Sequence, residues 1–145
     1  MKRVLYRLGL SEPEVEDVAQ ETLVRIWRGS ASFKEQSSVS TWACRIAINQ
    51  GISLIRSRRP VPADISEPHA DPQVELEKRQ TAAVVRSAVI ELPVGLRAVI
   101  ILREFEDMTY RSIAEVLEIP VGTVMSRLHE ARLRLRLKLI SSSSE

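Results

Sequence analysis

The apolar positions of this chain repeat at helical spacing in several segments, and the clearest segment is residues 11–27. Ser11 with Glu14 matches the capping box that begins many helices, and Gly29 is suited to end this one. The predicted inward stripe is Val15, Val18, Ala19, Thr22, Leu23, Ile26 and Trp27. The opposite face is predicted to be exposed and carries Asp17, Gln20, Glu21, Val24 and Arg28.

Three further segments have helical periodicity, namely residues 40–56, 74–92 and 96–105. In the second of these, Ala83, Val84, Ala88 and Val89 are expected to point inward. Asn49 lies in the middle of the first, although asparagine has a low helix propensity. Its amide either faces water, which is the commoner case, or offers paired donors and acceptors to a base edge.

Residues 108–138 have the pattern of a helix-turn-helix motif. Thr109 can cap a short first helix, and the run Ile119, Pro120, Val121, Gly122 breaks it before a second helix begins. Val124 is expected to be buried against the first helix, and Thr123, Ser126 and Arg127 to face outward. In such motifs the second helix lies in the major groove of DNA, so the pattern favours DNA binding.

The end of the second helix is ambiguous, because residues 132–140 (RLRLRLKLI) alternate with the period of a strand. No turn signal separates them from the preceding helix and they are strong helix formers, so we predict that the helix continues. This helix has five basic side chains and one acidic side chain, Glu130, a balance that suits phosphate binding.

The composition is that of a globular helical protein, with 44% hydrophobic and 28% charged residues and six aromatic residues in 145. No apolar run approaches the length of a membrane span, so no membrane insertion is expected. Cys44 is the single cysteine, and no zinc-binding spacing is present, so a reducing cytoplasm is the expected location.

Charge and proline divide the chain into segments. Residues 1–59 hold ten basic and six acidic side chains, whereas residues 60–78 hold one and five. We therefore predict a first domain at 1–59, an acidic proline-rich linker at 60–77, a second domain at 78–140 and a frayed tail at 141–145.

Three stretches together resemble the extracytoplasmic-function (ECF) group of the sigma-70 family of bacterial sigma factors. Residues 16–28 (EDVAQETLVRIWR) and 40–59 (STWACRIAINQGISLIRSRR) resemble sigma region two, and residues 91–136 resemble region four. The resemblance spans nearly the whole chain, with a shortened first region-two helix. It implies an all-α fold of two small helical domains, regions two and four, joined by a flexible linker.

The resemblance also implies a function: binding of core RNA polymerase and of promoter DNA, control by an anti-sigma factor, and no catalytic residue, cofactor or metal. The implied polymerase-binding residues are Asp17, Gln20 and Glu21. Those implied at the minus-ten element are Phe33, Arg45, Asn49, Arg56, Arg58 and Arg59. Those implied at the minus-thirty-five element are Arg103, Pro120, Val121, Gly122, Thr123, Ser126, Arg127 and Glu130.

The chain departs from the family pattern at a few of its positions. Glu118 stands in place of a frequent turn glycine, and Met125 and Glu130 stand where basic residues are common. A carboxylate such as that of Glu130 can accept from a cytosine amino group, so an individual promoter preference is expected.

Two other function classes are compatible with parts of the sequence. A stand-alone regulator would bind DNA through residues 79–140 and use the N-terminal half for protein contacts. An enzyme has little support, because two histidines and one cysteine form no nucleophile, metal or phosphate-loop pattern.

Overall fold

The computed structural model describes residues 1–30, 38–58 and 76–143, which form seven α-helices and no strand. The all-α prediction is therefore confirmed. The helices are α1 Lys2–Leu8, α2 Glu12–Gly29, α3 Val39–Ser57, α4 Leu76–Glu91, α5 Val94–Ile100, α6 Tyr110–Leu117 and α7 Val121–Ser143. A π-helical turn, Ile101–Phe105, follows α5 directly and was not expected from the sequence.

The N-termini of two helices are fixed by the capping residues that the sequence indicates. At α2, the Ser11 amide donates to Glu14 Oε1 at 3.0 Å, which closes the capping box. At α6, Thr109 Oγ1 accepts from the Ser112 amide at 3.1 Å. Each contact satisfies an amide that the first turn of a helix leaves without a partner, so both predicted starts are confirmed.

The predicted inward stripe of α2 is wrong at its C-terminal end. Its buried side chains stop at Thr22, while Leu23 is 60% and Trp27 is 79% exposed. The same kind of error affects α4, in which Val84 is 43% exposed although Ala88 and Val89 are buried. Helical spacing shows that apolar residues share a face but not how far along that face a neighbouring helix extends.

The helix-turn-helix is formed by α6 and α7. Val124 is fully buried, as the motif predicts, and Glu118 ends α6 in the left-handed conformation with φ 57°. Helix α7 continues without a break to Ser143, which confirms that residues 132–140 are helical. Residues 141–143, assigned to a frayed tail by the sequence, are part of this helix, and the hydroxyls of Ser141 and Ser142 donate to the Lys138 carbonyl oxygen.

The buried side chains of the N-terminal and C-terminal halves form one continuous hydrophobic cluster. Leu8 and Ile48 from the first half join Leu102 and Ile113 from the second. Helix α3 packs against α6 and α5, and α1 packs against α4. The two small helical domains implied by the resemblance therefore pack against each other through one shared core. The predicted linker lies largely outside the described residues.

Candidate polymerase and nucleic-acid interfaces

The outer face of α2 presents the three residues proposed to contact polymerase. Asp17, Gln20 and Glu21 are all exposed and lie at i, i+3 and i+4, so they share one face. Glu21 Oε1 accepts from Arg25 Nε at 3.2 Å within the same helix. An exposed pair of this kind contributes little stability, so Glu21 is available to another partner.

Two residues next to this face were not predicted as exposed. Leu23 and Trp27 extend from α2 beside Gln20 and Val24, so the polar face borders large apolar side chains. Exposed aromatic and aliphatic side chains beside polar ones are typical of protein-binding surfaces. The sequence pattern placed these residues in the core, and only the end of the buried stripe at Thr22 reveals the difference.

The candidate minus-ten surface is a face of α3. Arg45, Asn49 and Ser53 lie at i, i+4 and i+8 and line a cleft of about 410 Å³. Arg25 of α2 and Gln50 also line it, and neither residue was predicted to be part of the site. The Gln50 amide nitrogen is buried without a hydrogen-bond partner among the described residues. The cleft therefore combines cationic groups with amide groups able to bind a base edge.

The C-terminal end of α6 covers this surface. Asn49 Nδ2 donates to the Val116 carbonyl oxygen at 3.0 Å, and the Arg45 guanidinium forms an ion pair with Glu118. The commoner case for such an asparagine, an amide that faces water, is therefore not found for Asn49. Both groups implied in DNA contact are engaged by the C-terminal half of the same chain.

The remaining minus-ten candidates differ in their surroundings. Arg58 donates to both carboxylate oxygens of Glu14 at 2.7 and 2.8 Å, and to the Gly9 carbonyl oxygen at 3.0 Å. Its guanidinium thus ties the end of α3 to the start of α2, while Arg56 is exposed. Phe33 and Arg59 lie outside the described residues.

The start of α7 forms the candidate reading surface for duplex DNA. Pro120, Val121, Gly122 and Ser126 are exposed, and Thr123 is half-buried. The exposure of Ser126 agrees with its predicted outward position, whereas Thr123 and Arg127, also predicted to face outward, are half-buried. The first turns of the second helix are those that approach bases in such motifs.

Arg127 is half-buried and passes over the start of α5. A Cβ added to Gly95 would lie 3.4 Å from its Nη1 atom. This distance is an ordinary van der Waals contact, so the end of the arginine lies against the start of α5.

Three basic side chains in the far part of α7 form exposed ion pairs. Arg132 pairs with Glu104 at 2.7 Å and Arg134 with Glu130 at 2.8 Å. Lys138 pairs with Glu91. Such pairs are weak in water, so a phosphate can replace the carboxylate at little cost.

Arg103 lies in the π-helical turn and makes contacts within the C-terminal half. Its Nη1 donates to the Met108 carbonyl oxygen at 2.8 Å, and its guanidinium lies 5.0 Å from the centre of the Tyr110 ring. Arg103 therefore holds the loop that leads into α6 and helps to position the helix-turn-helix.

Across the described ranges, no group of three or more histidine, cysteine or acidic residues is arranged to hold a metal ion. No helix of those ranges combines the length and apolarity needed to span a bilayer.

Both halves of the chain match profiles of one protein family. Residues 1–61 match sigma-70 region 2, and residues 82–135 match sigma-70 region 4. The chain is 35% identical over 134 residues to RNA polymerase sigma-H factor of Pseudomonas aeruginosa, covering 82% of this chain and 69% of that protein. It is 32% identical over 152 residues to ECF RNA polymerase sigma factor SigW of Bacillus subtilis, covering 94% and 81%.

Two solved structures resemble the fold over almost the whole chain. CnrH, solved in complex with the cytosolic domain of CnrY, has a TM-score of 0.73 and 28% identity, and the match covers 97% of this chain and 80% of CnrH. Sigma factor RpoE of Bartonella quintana, solved with the anti-sigma factor NepR, has a TM-score of 0.77 and 24% identity, covering 95% and 88%.

Proposed function

The chain belongs to the ECF group of the sigma-70 family of RNA polymerase sigma factors, and from this premise we propose how its surfaces divide the work of transcription initiation. Proteins of this family are initiation factors that bind core RNA polymerase and direct it to promoters. The observation that carries the assignment is the presence of both regions in order, at 1–61 and 82–135, each with an exposed surface of fitting chemistry. The alternative of a stand-alone regulator would use the N-terminal half for protein contacts alone, and it gives no reason for the match of residues 1–61 to sigma-70 region 2.

The polymerase-binding surface is the outer face of α2. Asp17, Gln20 and Glu21 supply hydrogen-bonding and negatively charged groups, and the exposed side chains of Leu23 and Trp27 supply apolar contact area. Protein interfaces typically combine a central apolar anchor with a polar rim, and tryptophan is enriched among their strongest contributors. Trp27 is therefore the proposed anchor.

The minus-ten element binds along α3. Asn49 and Gln50 offer amide donors and acceptors at the cleft, while Arg25 and Arg45 offer charge for the phosphate backbone. A nucleotide held there as a single strand must give up base stacking worth a few kcal/mol, which these contacts offset. Phe33, Arg56, Arg58 and Arg59 are the further family positions proposed for this element.

The minus-thirty-five element binds as duplex DNA at the helix-turn-helix. The exposed start of α7 reads the major groove, and its distal arginines contact phosphates. Arg103 acts by positioning α6. Glu130 accepts a hydrogen bond from Arg134 in the free protein. When Arg134 binds a phosphate instead, the Glu130 carboxylate becomes free to accept from a base in the major groove.

An anti-sigma factor is the proposed regulatory partner. Sigma factor RpoE of Bartonella quintana, whose fold matches 95% of this chain, was solved in complex with the anti-sigma factor NepR. A protein that acts on polymerase and chromosomal DNA works in the bacterial cytoplasm, which is the proposed location. No catalytic group and no cofactor enter this proposal.

Run-off transcription with purified core RNA polymerase tests the proposal. Templates are chosen from transcript starts that disappear when the gene for this chain is deleted. Initiation should require the protein and should fall at least tenfold when Asp17 and Glu21 are both changed to alanine. The matched control changes Glu12 and Glu16, two other exposed acids of α2, and should retain activity. Tight promoter occupancy by the free protein, without any polymerase-dependent initiation, would refute the proposal.

A further inference from the structure

A cavity of about 610 Å³ opens where α1, α4 and the π-helical turn meet. Its described lining comes from both halves of the chain and consists of Arg7, Thr81, Ala82, Val85, Arg86, Val89 and Phe105. Cavities that hold small molecules in proteins typically have volumes of about 300–1,000 Å³. The surfaces proposed for polymerase and for promoter DNA use none of these residues, so the function proposed above leaves the cavity without a role.

One wall of the cavity is an apolar face of α4. Ala82, Val85 and Val89 lie at i, i+3 and i+7, which places them on the same side of the helix. Along this side Ala82 is exposed, Val85 is half-buried and Val89 is buried, so the wall runs from solvent towards the core. The Phe105 ring, which is 42% exposed, adds aromatic surface from the π-helical turn. Such a lining favours a ligand with an apolar body.

The charged residues of the described lining are both cationic. The Arg7 guanidinium lies 4.3 Å from the centre of the Phe105 ring, and this cation–π contact holds it at the cavity. Burial lowers the pKa of Arg7, and the nearby charges of Arg3 and Arg86 lower it further against the opposing charge of Glu106. Arginine stays charged despite such shifts, so several positive charges are concentrated at this site.

We propose that this cavity binds a small amphipathic anion, a free molecule with a carboxylate or similar acidic head and an apolar body. The head binds Arg7 and Arg86, because a guanidinium pairs with a carboxylate through charge-assisted hydrogen bonds. The body lies along the apolar wall of α4 and the Phe105 ring. A neutral ligand would leave the arginines without a new partner, and a cationic head would be repelled by them.

Glu106 does not prevent this binding. Its Oε1 atom lies 3.4 Å from Arg7 Nη1, at the long end of the range for a hydrogen bond, and both side chains are about one-third exposed. An ion pair of this kind contributes little stability in water. The carboxylate of a ligand can therefore take its place on Arg7.

A ligand in this cavity contacts both halves of the chain at once. Arg7 belongs to α1, whereas the apolar wall and Phe105 belong to the C-terminal half. A molecule that binds only when these elements are packed together stabilises the folded protein in proportion to its concentration over its Kd. Binding should therefore raise the midpoint of thermal unfolding.

The test uses sodium decanoate as the probe, below the concentration at which it forms micelles, with the full-length protein. Isothermal titration calorimetry measures its affinity, and thermal melting measures the stabilisation. Decanol and decyltrimethylammonium have the same apolar chain with a neutral and a cationic head. Both should bind at least about tenfold more weakly than decanoate, the effect expected for loss of a charged hydrogen bond.

Two variants locate the binding. Ala82→Trp places an indole in the mouth of the cavity and should abolish decanoate binding, whereas Ser87→Trp, at an exposed position of the same helix outside the described lining, should bind like wild type. Arg7→Met removes the charge and should weaken decanoate binding about tenfold while leaving the affinity for decanol unchanged. Far-UV circular dichroism checks that the variants are as helical as wild type.

Three results would overturn the proposal. Equal affinity for the three probes would show that the chain alone is recognised, and unchanged decanoate binding by Ala82→Trp would place the site elsewhere. Failure of decanoate to bind, together with a dimer in sedimentation velocity that Ala82→Trp abolishes, would assign the cavity to a second copy of the chain.

Discussion

Arg97 of α5 donates a hydrogen bond to the carbonyl oxygen of Leu8, the last residue of α1. A second bond of 2.9 Å reaches the Leu92 carbonyl oxygen, just after the end of α4. The free carbonyls at the end of a helix carry partial negative charge, so a guanidinium between two such ends is favourably placed. Burial lowers the pKa of Arg97, yet arginine remains charged at any physiological pH. One side chain thus joins regions two and four.

Replacing Arg97 by methionine should destabilise the protein substantially. The change leaves two buried carbonyl oxygens without their donor, and we expect a loss of about 2–4 kcal/mol in the free energy of unfolding. Urea denaturation followed by circular dichroism measures it. Arg111→Met, at an exposed position of α6, is the control and should change stability by less than about 0.5 kcal/mol. A loss that small for Arg97→Met would mean that the arginine contributes no net stability to the junction.

Glu14 should make the stability of region two depend on pH in the acid range. Burial acts to raise the pKa of Glu14, but hydrogen bonds from Ser11 and the charge of Arg58 outweigh it and hold the pKa below its ordinary value. The folded chain therefore binds fewer protons at this site than the unfolded chain. The resulting stability is complete above the ordinary carboxyl pKa of 4.5 and is lost as pH falls below it.

The variant Glu14→Gln tests this dependence. It should be less stable than wild type near pH 7, by about 1 kcal/mol for the weakened cap, and the gap should narrow as pH falls from about 6 to 3. Urea midpoints at a series of pH values measure the gap. Glu12→Gln, at the exposed start of the same helix, is the control. A difference in urea midpoint between Glu14→Gln and wild type that stays constant at every pH would show that Glu14 is not the source of the pH dependence.

Removing the cap of α6 should weaken the helix-turn-helix. Thr109→Ala deletes the oxygen that accepts from the Ser112 amide, at an expected cost of about 1 kcal/mol in unfolding free energy. Thr109→Asp supplies another acceptor and should restore most of the loss. Thermal melting of the two variants beside wild type gives the comparison. Equal melting temperatures for alanine and aspartate would show that the hydroxyl does not cap this helix.

Changing Trp27 to alanine should separate stability from polymerase binding. The ring is 79% exposed, so the free energy of unfolding should change by less than about 0.5 kcal/mol. Affinity for core polymerase should fall about tenfold or more, as for other aromatic anchors. A competition assay with labelled protein measures the affinity for core polymerase. Val84→Ala, at an exposed apolar position on α4, is the matched control. Unchanged affinity of Trp27→Ala would remove Trp27 from the proposed interface.

The features predicted correctly from the sequence are those decided within a few residues. The caps at Ser11 and Thr109, the turn before α7 and the helical state of residues 132–140 all follow from local spacing and propensity. The errors concern distant contacts. The exposure of Leu23 and Trp27 depends on where the helix packed beside α2 ends, which periodicity does not encode.

The candidate site shows the same division between local and distant information. Family resemblance selected Asn49 and Arg45, but their partners Val116 and Glu118 lie more than sixty positions away in sequence. No single-sequence pattern links such positions, because the contact exists only once the two halves pack together. The π-helical turn at Ile101–Phe105 was missed for a different reason, since its residues have ordinary helical propensity.

Footprinting of a dependent promoter with and without core RNA polymerase tests the central claim most directly. The account predicts two protected stretches, one near minus ten and one near minus thirty-five, that appear together only when the protein and core polymerase are both present. Protection of both stretches by the protein alone, or by polymerase without it, would contradict the account.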